Sequence, residues 1–231
     1  MPLYELLEAN RHHQLRMVAD DKSLSQFTPI VVSEFAAAAT ACPIVLTKHP
    51  QSGEFIAGAI VSLKPDEPPL KSLGERGGFE PLFFQTRGFY VSEQSIAVDR
   101  EDPRFSLERG ELLFTETRQP AECLRRIQSA LGALQVGQEA TRKFVRAMLD
   151  HQLIEPINLS FQFDRAEPVT LRGLYTLSLD KFNQLDESVL IEFFKAGYAE
   201  FVYLMAFSLK QFAVLAHLRN EQLAKAEKQL A

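Results

Sequence analysis

Catalysis needs nucleophiles, acids or metal ligands at workable spacings, and this chain of 231 residues offers few of them. Its 2 cysteines, Cys42 and Cys123, stand neither in a metal-binding spacing nor in a disulfide framework, so they read as buried thiols. Cys123 opens a helix, where the positive helix end lowers a thiol pKa, but no His, Asn or Asp motif accompanies it. Among 5 histidines the one adjacent pair is His12-His13. Neighbouring side chains on a helix point about 100° apart, which is not the i, i+4 clamp that zinc or iron favours. His49 falls in a turn, His151 near a helix end and His217 near the end of the last helix, all as structural or solvated groups. No GxSxG elbow, P-loop, GxGxxG fingerprint or HExxH helix occurs. Gly74-Glu75-Arg76-Gly77-Gly78 follows no strand and opens no helix, so it reads as a loop rather than a phosphate cradle.

Carboxylates are the richer vein. Asp99, Glu101, Asp102, Glu108 and Glu111 crowd together in sequence and could form an acid/base dyad or hold an oxygen-loving cation; a solvated acidic turn explains them more simply. Glu34, Arg87 and Asp99 are the polar residues that stand out as binding candidates. Each lies beside strongly apolar neighbours, where a charge must be paired or functional. The residues assign no catalytic group, no metal ligand and no cofactor.

The elements that must position these groups follow from patterning. With 46% apolar and 24% charged residues the chain buries a sizeable core. A net charge of −5, with bases and acids interspersed, provides no field for a phosphate backbone and excludes nucleic acid as a partner. The N-terminus carries acids where a secretory leader needs bases, which points to the cytoplasm. The longest charge-free run of the last helix, Phe201 to Leu209, is well short of the roughly 18–20 apolar residues of a spanning helix, so no membrane insertion is expected.

The N-terminal half predicts short strands. A hairpin joins Pro43-Ile44-Val45-Leu46-Thr47 to Phe55 through Leu63, and Ser33 caps a short helix through Thr40. Lys64 to Gly78, rich in Pro and Gly, predicts an exposed loop, and further strands are expected at Leu82-Phe83-Phe84, Gly88 to Val91 and Ser95 to Val98. From Pro120 a stripe of Leu124, Ile127, Leu131 and Leu134, resumed at Phe144, Met148 and Leu149, predicts one long helix or two collinear ones. Alternating Ile157, Leu159, Phe161 and Phe163 open a second hairpin that closes at Leu179. Finally, Asp186 to Leu218 is apolar at every angle of a helical turn, and it predicts a buried helix tying the halves together, with Gly197 at a close approach. The tail 219–231 has too few apolar positions for a coiled coil and predicts a solvated extension, leaving any homodimer to the apolar body. The fold class expected is α+β, in one domain over 1–231.

Taken in order, several blocks carry a family likeness: Glu34-Phe35-Ala36-Ala37-Ala38 with Cys42-Pro43-Ile44-Val45, Gly58, Arg87-Gly88-Phe89-Tyr90, and Val98-Asp99-Arg100-Glu101-Asp102-Pro103. Gly110-Glu111-Leu112-Leu113-Phe114, Leu153-Ile154-Glu155-Pro156, Gly173-Leu174-Tyr175 and Gly197 through Leu209 continue it. From about Phe27 to Leu218 the chain resembles the SapC family of proteobacterial proteins, and it does not resemble the peptide-transporter permease that shares the name. The resemblance implies an accessory role: a protein or peptide partner in surface-layer, export or nutrient-uptake pathways, with no catalytic residue to carry over. Its alternative is an enzyme or cofactor-binding partner acting on peptides or small aromatic compounds, near halogenase-like or cupin-type oxygenase-like proteins. Met205 stands where relatives often carry histidine, and Tyr198 where an aromatic tryptophan is common.

Overall fold

Alternating apolar strands decide where the buried side chains of the larger unit divide into two clusters. A computed structural model describes residues 4–18, 26–64, 79–92, 95–163 and 166–230, and it combines helices with antiparallel sheets in an α+β fold. The chain divides into two compact units, one of Met1–Ser23 with Leu82–Val136 and one of Leu24–Pro81 with Gly137–Ala231.

The second unit is built on a five-stranded antiparallel sheet in the order Ile154–Phe163, Ala166–Leu177, Ile44–Lys48, Phe55–Ile60, Phe27–Pro29. The expected hairpin is there, with Lys48 opposite Phe55 and Ile44 opposite Ala59. Because successive side chains point to opposite faces, Ile44 and Leu46 enter one apolar cluster and Val45 the other, all fully buried. A strand covered on both sides must be apolar throughout, which explains the continuous Ile-Val-Leu run. On the first face Phe35 and Phe144 meet edge-on, ring centroids 6.0 Å apart, and Phe201 lies 5.8 Å and 5.5 Å from them.

Ahead of this sheet a short 3-10 turn, Val32–Glu34, runs into the helix Phe35–Ala41. Its cap differs from the expected one. Ser33 is exposed, and it is Glu34 whose Oε2 accepts the Val31 N–H at 2.9 Å, the reach-back half of a capping box. The long middle helix is continuous over Glu122–Asp150. Thr141 fastens it to the chain before Phe35, accepting the Val32 N–H at 2.9 Å while donating to the Gly137 carbonyl at 2.7 Å. At Gly137 a Cβ would stand 2.5 Å from Val31 Cγ2, so only glycine admits the approach.

The apolar block after Asp186 corrects the sequence reading. It is three helices, Glu187–Lys195, Tyr198–Ser208 and Gln211–Leu230, and it is buried along one side only, with Phe194 73% and Phe207 60% exposed. Val202 and Met205 face the first apolar cluster, whereas Phe212 and Leu215 face the second. The chain changes sides of the sheet at Leu209-Lys210, and two stripes laid end to end look apolar all round. Ser208 sits at the crossing, its buried hydroxyl accepting the Ile44 N–H at 2.8 Å and donating to the Met205 carbonyl at 2.7 Å. By length and composition alone, Tyr198–Lys225 is long and apolar enough to cross a membrane, although charges interrupt its apolar run; 28% of its most apolar stretch is buried.

Gly197 is likewise explained differently. Nothing lies within 4 Å of the position its Cβ would take, but its φ of +76° is left-handed. Gly197→Ala is therefore expected to cost about 1–2 kcal/mol through backbone strain, and Gly197→Asn less. Thermal melting of the two variants checks this, and an equal loss for both would contradict it. The tail also departs from the solvated extension. The helix continues to Leu230, but Leu223 packs partly buried against the second cluster, and the buried Arg219 holds its guanidinium 4.5 Å from the Phe163 ring centroid.

In the first unit Tyr4–Leu6, Ser95–Asp99 and Phe89–Ser92 form one antiparallel sheet with Ser95–Asp99 central, and Arg16–Met17 pairs with Phe105–Ser106 and Glu111–Leu112 in another. Leu15, Phe89, Val98, Leu113, Leu124 and Ile127 share its core. Leu82–Gln85, expected as a strand, is a short helix. The Lys64 to Gly78 loop lies outside the described residues except for Lys64.

Candidate functional site

The acidic stretch after Val98 resolves into a turn in which nearly every charge has a local task. Asp99 Oδ1 accepts the Glu101 N–H at 3.1 Å and Asp102 Oδ1 accepts the Arg104 N–H at 2.9 Å, both two residues on, as Asx turns do. Asp102 Oδ2 takes Arg87 Nε at 3.3 Å. Gly88, between Arg87 and the strand, has φ +81°, and a Cβ there would stand 3.3 Å from the Asp102 carboxyl. Arg104, 6% exposed, donates Nη1 to the carbonyls of Phe84 and Arg87 at 2.9 and 3.0 Å and Nη2 to that of Gln85 at 3.1 Å. It thereby caps the end of the short helix Leu82–Gln85, whose last carbonyls have no partner within the helix.

A second knot of charge surrounds Glu5. His12 Nε2 lies 3.1 Å from Glu5 Oε1, Arg100 Nη1 3.3 Å from the same oxygen, and Arg11 Nη2 3.6 Å from Oε2. The His12 hydrogen bond, followed by the nearby positive charges, holds the Glu5 carboxyl below its ordinary pKa against the opposing effect of burial. A histidine beside a carboxylate is the orienter-and-base arrangement of acid/base enzymes. Here, however, Nε2 is engaged by Glu5 and Nδ1 by the Glu8 backbone at 3.0 Å, and the ring is buried, leaving no nitrogen facing solvent.

The three sequence candidates therefore have different surroundings. Arg87 and Asp99 are brought together in the first unit, where the Asp99 N–H donates to the Gly88 carbonyl at 3.0 Å, although Arg87 pairs with Asp102 rather than with Asp99. Glu34 belongs to the other unit, buried at 7% exposure and committed to its cap. Burial pushes the Cys42 thiol up to about 12, helped by the Glu34 charge, and pushes Cys123 up as well. Neither forms a thiolate readily. Among the described residues no three His, Cys, Asp or Glu side chains gather as metal ligands.

What the sequence reading missed is the outer face of the first unit's sheet. Glu5, opposite Val98, points inward, so Tyr4 and Leu6 point outward; Tyr4 is opposite Asp99 and Leu6 opposite Ala97, with Tyr90 facing Ala97 from the other neighbour. Tyr4 and Tyr90 pack edge to face over this strand, centroids 4.6 Å apart, and remain 54% and 41% exposed, with Leu6 at 45%. The alternation within Phe89-Tyr90 was a usable signal, since an inward Phe89 sends Tyr90 outward.

The chain is α+β, with both cysteines buried and their thiols raised in pKa, and it carries an exposed tyrosine-bearing sheet face in the first unit. It belongs to the SapC family, whose profile matches residues 7–215. The match begins at residue 7, earlier than the Phe27 at which the motifs become legible, and runs through both units. No curated protein and no solved structure matches the chain.

Proposed function

We propose that this chain is a soluble, cytoplasmic, non-enzymatic accessory protein that binds a protein or peptide partner, in a surface-layer, export or nutrient-uptake pathway. The observation that carries the reading is the outer face of the sheet Tyr4–Leu6, Ser95–Asp99, Phe89–Ser92, where two tyrosines and a leucine stay exposed together. Tyrosine supplies large, rigid contact area with a polar tip and is enriched in interfaces for that reason. Enzymatic action on peptides or small aromatic compounds is the weaker reading, since the histidine of the His12–Glu5 pair is sealed and both thiols are raised in pKa. The test is affinity capture from native lysate with mass spectrometry, using the full chain and a Tyr4→Ala/Tyr90→Ala variant of equal melting temperature. Proteins enriched on the parent and lost on the variant are expected; identical captures, or a small molecule as the sole retained species, would overturn the reading.

A further inference from the structure

The geometry points to the Tyr4, Tyr90 and Asp99 face as a seat for an arginine side chain of a basic peptide segment. This names the class of partner for the surface described above and rests on that reading. Tyr4 and Asp99 are directly opposite in register, which places their side chains on one face with Cβ atoms about 5 Å apart. Tyr90 lies one strand over and two positions along, opposite Ala97, and the small alanine lets both rings lean over the central strand. An edge-to-face pair consumes one ring edge and one ring face, so aromatic faces remain open to solvent beside a carboxylate.

Charge decides the occupant. Asp102 is answered by Arg87, and Glu5 by His12, Arg100 and Arg11. Asp99 accepts a backbone N–H through Oδ1 but, among the described residues, forms no ion pair, so it is the carboxylate of this face left without a cation. Its field reaches the rings: burial first, then the contact with Tyr4, then the charges of Asp99 and Asp102 raise the Tyr90 phenol, which stays neutral and keeps an electron-rich face. A guanidinium fits this better than an ammonium, because it is planar, stacks on tyrosine and presents two donors to one carboxylate. Exposed cation–π and ion-pair contacts are each worth a few-fold in affinity, so together they should discriminate by about tenfold.

The experiment is fluorescence anisotropy at low salt, with a labelled peptide of alternating arginine and glycine and its equivalents carrying citrulline or lysine. The full chain should bind the arginine peptide about tenfold tighter than the citrulline peptide and tighter than the lysine one. Asp99→Asn, which keeps shape, and Tyr4→Leu/Tyr90→Leu, which keep an apolar side chain at exposed positions, should each remove most of that preference with unchanged circular dichroism. Glu116→Gln, an exposed carboxylate elsewhere, controls for the net charge of −5 and should leave it intact. Equal binding of arginine and citrulline peptides, an arginine preference that survives both variants, or an equal loss in Glu116→Gln would overturn the assignment. Lysate partners lost on Tyr4→Ala/Tyr90→Ala without any arginine preference would sink this inference alone, whereas unchanged capture would sink the broader partner reading.

Discussion

Phe144→Ala should lower the stability of the second unit by about 3–5 kcal/mol, the range for deleting a fully buried aromatic whose cavity cannot collapse. Phe144 has no exposed surface, and its ring is held edge-on by Phe35, Tyr198 and Phe201 at 6.0, 5.7 and 5.5 Å. Those partners come from two separate helices, Phe35–Ala41 and Tyr198–Ser208, so none can move inward to fill the void without leaving its own neighbours. Phe194→Ala, at a ring 73% exposed, should change stability by less than about 0.5 kcal/mol. Urea unfolding of the two variants side by side checks the contrast, and similar losses would mean that the cluster is not the core.

Arg104→Ala is the second large effect expected, at about 3–5 kcal/mol from the first unit. The loss comes less from the missing charge than from what it leaves behind: the carbonyls of Phe84, Gln85 and Arg87 lose their donors in a buried site. Arg104→Lys keeps the charge but has one nitrogen where the guanidinium uses two, so it should recover only part of the difference. A loss below about 1 kcal/mol for Arg104→Ala in the same unfolding assay would show that water replaces the guanidinium there.

The hairpins, the long helix and the α+β class could be read from periodicity, because strand alternation and a helical stripe are local signals. What failed was non-local. The stripe Leu124, Ile127, Leu131 serves one unit and Phe144, Met148 the other, and only the gap in the stripe at Gly137 hinted at the division, which runs through a continuous helix. The first unit is also assembled from two stretches separated by most of a sheet, which spacing along the chain cannot reveal. Leu82-Phe83-Phe84 looked like a strand because its apolar residues are consecutive; its helical turn depends on Arg104, some twenty positions on. Of the candidate site, Arg87 and Asp99 were found because charges among apolar neighbours are conspicuous, while Tyr4 and Tyr90 were not, since exposure of an aromatic is a property of the assembled sheet.

The hydrogen bond from Ile44 to Ser208 spans 164 positions, and this separation governs the order in which the chain can be finished. On a ribosome, the strand Ile44–Lys48 emerges early with apolar side chains on both of its faces. The helices that complete the cover of those faces are made last, with Val202 and Met205 for one side and Phe212 and Leu215 for the other. A nascent chain halted before residue 200 thus carries an incompletely covered apolar strand and an open backbone donor at Ile44, the kind of surface on which chains aggregate. The core of the second unit is completed only by its last helices, and products truncated before them are expected to be insoluble.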